Sequence, residues 1–185
     1  MPHTRTSTLM RVTIPALLLA LITACASNPP LFEAAAAGDT HTIQAALDKG
    51  TSVNIRNGSG ESALMYAATN NQDIAAQLLL NRGADVNATD KNGYTVLMAA
   101  SAGGNASIVN AVLARGANVK AKDKNGTTAL LAAAKQGRTS IAEILLAKGA
   151  DLNARDNDGN TALVYAQKNG YSRLVKYLQA AGAQD

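Results

Sequence analysis

The chain has 185 residues, 47% of them apolar but only 3% aromatic: one Phe, five Tyr and no Trp. That length suits one domain of ordinary size. The formal charge of +4, from 17 Lys and Arg against 13 Asp and Glu, is too even for a nucleic-acid binder, which shows a concentrated basic stripe and stacking aromatics.

The chain opens MPHTRTSTLMRVTIPALLLALITAC. Arg5 and Arg11 make a basic start, an apolar run follows from Val12 to Ala24, and small residues lead into Cys25. This is the layout of a secretory signal peptide. The run is 13 residues long and contains Pro15, whereas crossing a bilayer takes about 20 residues. Leu21-Ile22-Thr23-Ala24-Cys25 resembles a bacterial lipobox, with Ile22 where Leu is commonest. The resemblance implies cleavage after residue 24 and acylation of Cys25. Cys25 is the one cysteine in the sequence, so disulfides are excluded. Each buried CH₂ of an acyl chain contributes about 0.8 kcal/mol, so a multiply acylated Cys25 holds the chain on a membrane. Loss of Arg5 and Arg11 leaves 15 basic and 13 acidic residues, a net of +2. Ala26, in place of an inner-membrane retention Asp, implies the periplasmic face of the outer membrane. The inner membrane and a soluble periplasmic form are the alternatives, and Met10 is a second possible start. Residues 25–30 hold the lipidated Cys and a short tether. At about 3.3–3.6 Å per residue the tether keeps the folded part close to the bilayer.

From residue 31 the chain repeats itself. Gly60, Gly93, Gly126 and Gly159 are 33 residues apart, and so are Gly50, Gly83, Gly116, Gly149 and Gly182. Leu31, Leu64, Leu97, Leu130 and Leu163 keep the same step, as do Ala34, Ala67, Ala100, Ala133 and Ala166. A strict period of this length marks a stacked array. Each unit has a physical reading. Asn92-Gly93, Asn125-Gly126 and Asp158-Gly159 are tight-turn pairs. Ser62, Thr95, Thr128 and Thr161 follow, placed to cap a helix. A short Ala-rich helix, for example Ala129 to Gln136, ends at Gly38, Asn71, Gly104, Gly137 or Gly170, residues that tolerate a left-handed C-cap. A second helix carries an apolar stripe such as Ile141, Ile144, Leu145 and Leu146. Ala-Asp-Val-Asn at 84–87 or Ala-Asp-Leu-Asn at 150–153 then leads to the next turn.

In these motifs the chain resembles an ankyrin-repeat array. The resemblance implies an all-α solenoid of helix-turn-helix units with β-hairpin tips. Its domain is 31–185, in units of about 31–56, 57–89, 90–122, 123–155 and 156–185, preceded by the signal peptide at 1–24. The family's Thr-Pro-Leu-His signature stands here as Ser-Ala-Leu-Met, Thr-Val-Leu-Met, Thr-Ala-Leu-Leu and Thr-Ala-Leu-Val. The helix-starting Pro is absent, and Met65, Met98, Leu131 and Val164 replace the His, an apolar contact in place of a polar one. No unit can bury its apolar face alone; neighbours complete the core. In the last helix Arg173, Lys176 and Gln179 recur at helical spacing, suited to a solvated end.

Catalytic inventory is thin. After processing, His41 is the remaining histidine, which rules out a Cys/His zinc site. Gly103-Gly104 is a lone glycine pair, not a phosphate loop. Asp90-Lys91-Asn92-Gly93 lacks the further acidic ligands of a calcium loop, so its aspartate is expected to brace the turn. Neither a cofactor nor a metal is expected.

What remains is surface. Carried over from the family, the concave face comprises hairpin tips and inner helices: Arg56, Glu61, Lys91, Asn92, Tyr94, Lys122, Lys124, Asn125, Lys135, Arg155, Asn157, Asp158, Asn160 and Lys168. Tyr66 and Tyr165 share one repeat position and are read as packing between units, while Tyr94 is read as an exposed anchor at a tip. The expected function is a non-enzymatic protein-binding module, membrane-anchored and facing the periplasm, with another protein as partner. By resemblance, periplasmic ankyrin proteins include some tied to oxidative-stress protection and some akin to toxin-immunity proteins. Two other classes stay open: an envelope hydrolase with a site built across repeats around His41, and a structural spacer between membrane and wall.

Overall fold

The computed structural model describes residues 30–184; the segment read as a signal peptide, Cys25 and most of the stretch read as a tether lie outside them. Ten helices are present among the described residues, in five pairs. They are α1 (Pro30–Ala37), α2 (Thr40–Asp48), α3 (Ala63–Thr69), α4 (Asp73–Asn81), α5 (Val96–Gly103), α6 (Ala106–Ala114), α7 (Ala129–Lys135), α8 (Thr139–Ala147), α9 (Ala162–Lys168) and α10 (Ser172–Ala180). None of the described helices is long and apolar enough to cross a membrane.

Local chemistry sets each pair. Ser62, Thr95, Thr128 and Thr161 sit in extended conformation and their hydroxyls accept from the amides of Met65, Met98, Leu131 and Val164. Each cap satisfies one of the amides a helix start leaves unpaired. The residue that replaces the family's His is not purely apolar in one unit: the amide of Thr95 donates to Met98 Sδ at 3.4 Å. The first helices end where the sequence places a left-handed residue, Asn71 at φ 59° being the one that is not glycine.

The odd-numbered helices stack into one layer and the even-numbered helices into a second. Between them runs a single core in which Leu31, Leu64, Leu97, Leu130 and Leu163 are buried, together with the alanines one turn on. Small alanines let successive helices approach closely. Gly103 carries that furthest. A Cβ there meets the carbonyl oxygen of Ala68 at 2.5 Å and Asn71 Oδ1 at 2.8 Å, and Asn71 Nδ2 donates to the Gly103 carbonyl. Gly103 is therefore a packing device between units two and three, while Gly104 lies against Arg138 of unit four. Gly103→Ala is expected to cost about 2 kcal/mol by overpacking, read as a lower urea midpoint with an unchanged slope.

The tips differ from the expected β-hairpins. Among the described residues there are no strands, only single bridges at Arg56–Ser62 and Thr89–Thr95. Each tip is closed by two main-chain bonds, such as Asp90 N to Tyr94 O at 3.0 Å and Gly93 N to Asp90 O at 3.1 Å. The first side chain of the tip also takes two amides that would otherwise extend a ladder. Asp90 accepts from Asn92 and Tyr94, Asp123 from Asn125 and Thr127, and Asp156 from Asp158 and Asn160. Asn57 does the same for Ser59 and Glu61. These bonds bear out the bracing role read for the aspartates. Gly93, at φ 81°, supplies the left-handed turn that lets one oxygen reach both amides.

Candidate interaction surface

The tips are joined in register. Lys91 N donates to Ser59 O at 2.9 Å, Lys124 N to Asn92 O at 2.8 Å, and Asn157 N to Asn125 O at 2.9 Å. These three bonds, each to the preceding tip, fix the spacing of whatever side chains the tips carry.

Many of the predicted face residues spend their polar groups inside the array. Arg56 donates to Gly60 O and to Thr89 O, both at 3.1 Å, and lies 3.6 Å from Asp85. Glu61 accepts from Asn57 Nδ2 at 2.7 Å and Tyr66 OH at 3.0 Å. Lys122 Nζ reaches Arg155 O at 3.1 Å, Arg155 donates to Gly159 O at 2.8 Å, and Asn157 Nδ2 to Lys124 O at 2.9 Å. Lys168 Nζ donates to Asn160 Oδ1 at 2.8 Å. By contrast the side chains of Lys91, Asn92, Lys124, Asn125 and Asp158 are exposed. They are the part of the predicted face still available to a partner.

Two tyrosine positions shape this face. Tyr66 and Tyr165 occupy the repeat position that holds Ala99 and Ala132 in the middle units. Both bond to the tip of their own unit, Tyr66 to Glu61 and Asn57, Tyr165 to Asp156 Oδ2. Lys135 Nζ sits 4.0 Å from Asp156 Oδ2 and 4.6 Å from the centre of the Tyr165 ring, a cation over a π face. Burial, then the bond to Asp156, pushes the Tyr165 hydroxyl up to about 12. For Asp156 burial acts upward, but the bonds from Tyr165, Asn160 and Asp158 and the charge of Lys135 outweigh it and hold the carboxyl below its ordinary value.

Tyr94 is not the exposed anchor the sequence suggests. It is half-buried and packs against the core. Burial, then the nearby charges of Asp123 and Asp90, drives its hydroxyl up to about 12. Where Ala99 replaces a tyrosine, the space left is a cleft of about 130 Å³, with Tyr66 and Tyr94 as walls and Glu61, Asp90, Thr69 and Asn70 at its edge. This cleft was not legible beforehand; the signal was the Tyr-to-Ala alternation at one repeat position.

A second set of contacts also escaped the sequence. At the starts of three outer helices the side chain does not cap its own helix but reaches back 36 residues. Gln72 Nε2 donates to Ala36 O, Arg138 Nε to Ala102 O, and Tyr171 OH to Lys135 O. Asp39 and Asn105, at the equivalent places, cap their own helices. His41 is exposed on α2, and the carboxylate of its neighbour Asp39 is bound to Thr42. Among the described residues no hydrolytic triad is assembled there.

Five helix pairs joined by braced tips, in register at a 33-residue step, define a helical repeat solenoid. The family profile described as ankyrin repeats, three copies, matches residues 31–123 and 97–185, and the chain belongs to that family. No curated protein sequence matches it.

Proposed function

We propose that the chain is a non-catalytic protein-interaction module held on the periplasmic face of the outer membrane by a lipid on Cys25. The observation that carries the binding role is the row of exposed tip residues, Lys91, Asn92, Lys124 and Asn125. Main-chain bonds hold that row rigid, and it stands beside the Tyr66–Tyr94 cleft. A preformed face spends little ordering entropy on association, and the lysines favour encounter with an acidic patch. The anchoring rests on the lipobox-like run ahead of Cys25. Oxidative-stress protection and toxin immunity are the two cellular roles that fit, and a neighbouring catalase or toxin gene separates them.

A photo-crosslinking residue at Asn92, introduced in cells, tests the face. One discrete adduct is expected, weakened at least tenfold by Lys91→Glu with Lys124→Glu, because neither ammonium braces the fold. An adduct indifferent to that double reversal contradicts the assignment. In the same cells Cys25→Ser is expected to move the chain from the membrane to the soluble fraction.

A further inference from the structure

The loops that follow the outer helices are tied together by asparagine. Asn54 Nδ2 donates to Gly83 O at 3.2 Å while its Oδ1 accepts from Asp85 N at 2.8 Å. Asn87 repeats this 33 residues on, with Gly116 O at 3.4 Å and Asn118 N at 3.2 Å. Asn153 Oδ1 accepts from Gln184 N at 2.9 Å. A carboxamide suits the task because it offers a donor and an acceptor side by side. At the remaining junction the residue is Lys120. An ammonium has no acceptor, and Lys120 is exposed. The Gly149 carbonyl and the Asp151 amide are left there without the bonds their counterparts make. A cleft of about 270 Å³ opens at that place, floored by Val119 and Ala154 and edged by Lys120, Lys122, Gly149 and Asp151.

We propose that this cleft is a recognition site for a carboxamide, the asparagine side chain of a partner polypeptide. The partner's amide nitrogen donates to Gly149 O and its oxygen accepts from Asp151 N, as Asn54 and Asn87 do within the chain. The apolar floor receives the side-chain methylene, and an aspartate is rejected because a carboxylate cannot donate to a carbonyl. The site shares only Lys122 with the predicted concave face and stands whether or not that face binds protein.

The test is a titration of the ¹⁵N-labelled full chain, in detergent micelles, with N-acetylasparagine N′-methylamide, alongside its alanine analogue. The Asp151 amide resonance is expected to move saturably with the asparagine probe and at least fivefold less with the alanine probe. Lys120→Asn fills the site from within and should abolish the response, while Lys120→Ala should keep it. Equal movement with both probes, no movement with either, or an unchanged response in Lys120→Asn would overturn the proposal.

Discussion

Leu97→Ala is expected to lower stability by about 3–4 kcal/mol, from lost transfer energy and the cavity left behind. Leu97 is 1% exposed, in the middle unit of five. Its helix, α5, lies between α3 and α7, so a void there loosens two interfaces at once. Stability in such an array is nearly a sum of unit and neighbour terms. The same truncation at Leu163, in the last unit, should therefore fray that end and leave units one to three intact. Thermal melting should show one transition about 10 °C lower for Leu97→Ala. For Leu163→Ala, amide exchange should quicken mainly in α9 and α10.

Asp156→Ala is expected to cost about 3 kcal/mol, because two tip amides and the Tyr165 hydroxyl lose their acceptor in a site water barely reaches. Asp156 is 8% exposed. Asp156→Asn should be far milder, about 1 kcal/mol, since Asn57 already braces its own tip in this way. The pH dependence separates the two. The folded carboxyl sits below its ordinary value, so its contribution is complete above the unfolded pKa of about 3.9 and is lost as pH falls through the folded value. Urea melts between pH 3 and pH 7 should show the wild-type last unit weakening in acid. Asp156→Asn should lack that component; an identical acid slope in both would sink the assignment.

The two results bear on function through one property. The tips are held from below by carboxylates or an amide, half-buried at Asn57, Asp90 and Asp123 and buried at Asp156, and from the side by neighbouring tips. Lys91 and Lys124 are thus presented on a frame that does not have to order on binding.

The sequence by itself determined the step of 33, the five units, the hydroxyl caps, the left-handed helix ends and the bracing aspartates. Each follows from chemistry acting within about four residues, repeated until chance is excluded: Thr128 needs only the amide of Leu131, and Gly93 only its own backbone. The tertiary structure decided which side chains cross between units. Gln72, Arg138 and Tyr171 became straps, Tyr94 turned inward, Gly103 became a point of close approach, and Lys120 left a junction open. None of these is local. They depend on how far one unit is offset from the next, which is set by side-chain volume across the whole interface, and so partners 31 to 36 residues apart become visible only when the units are stacked.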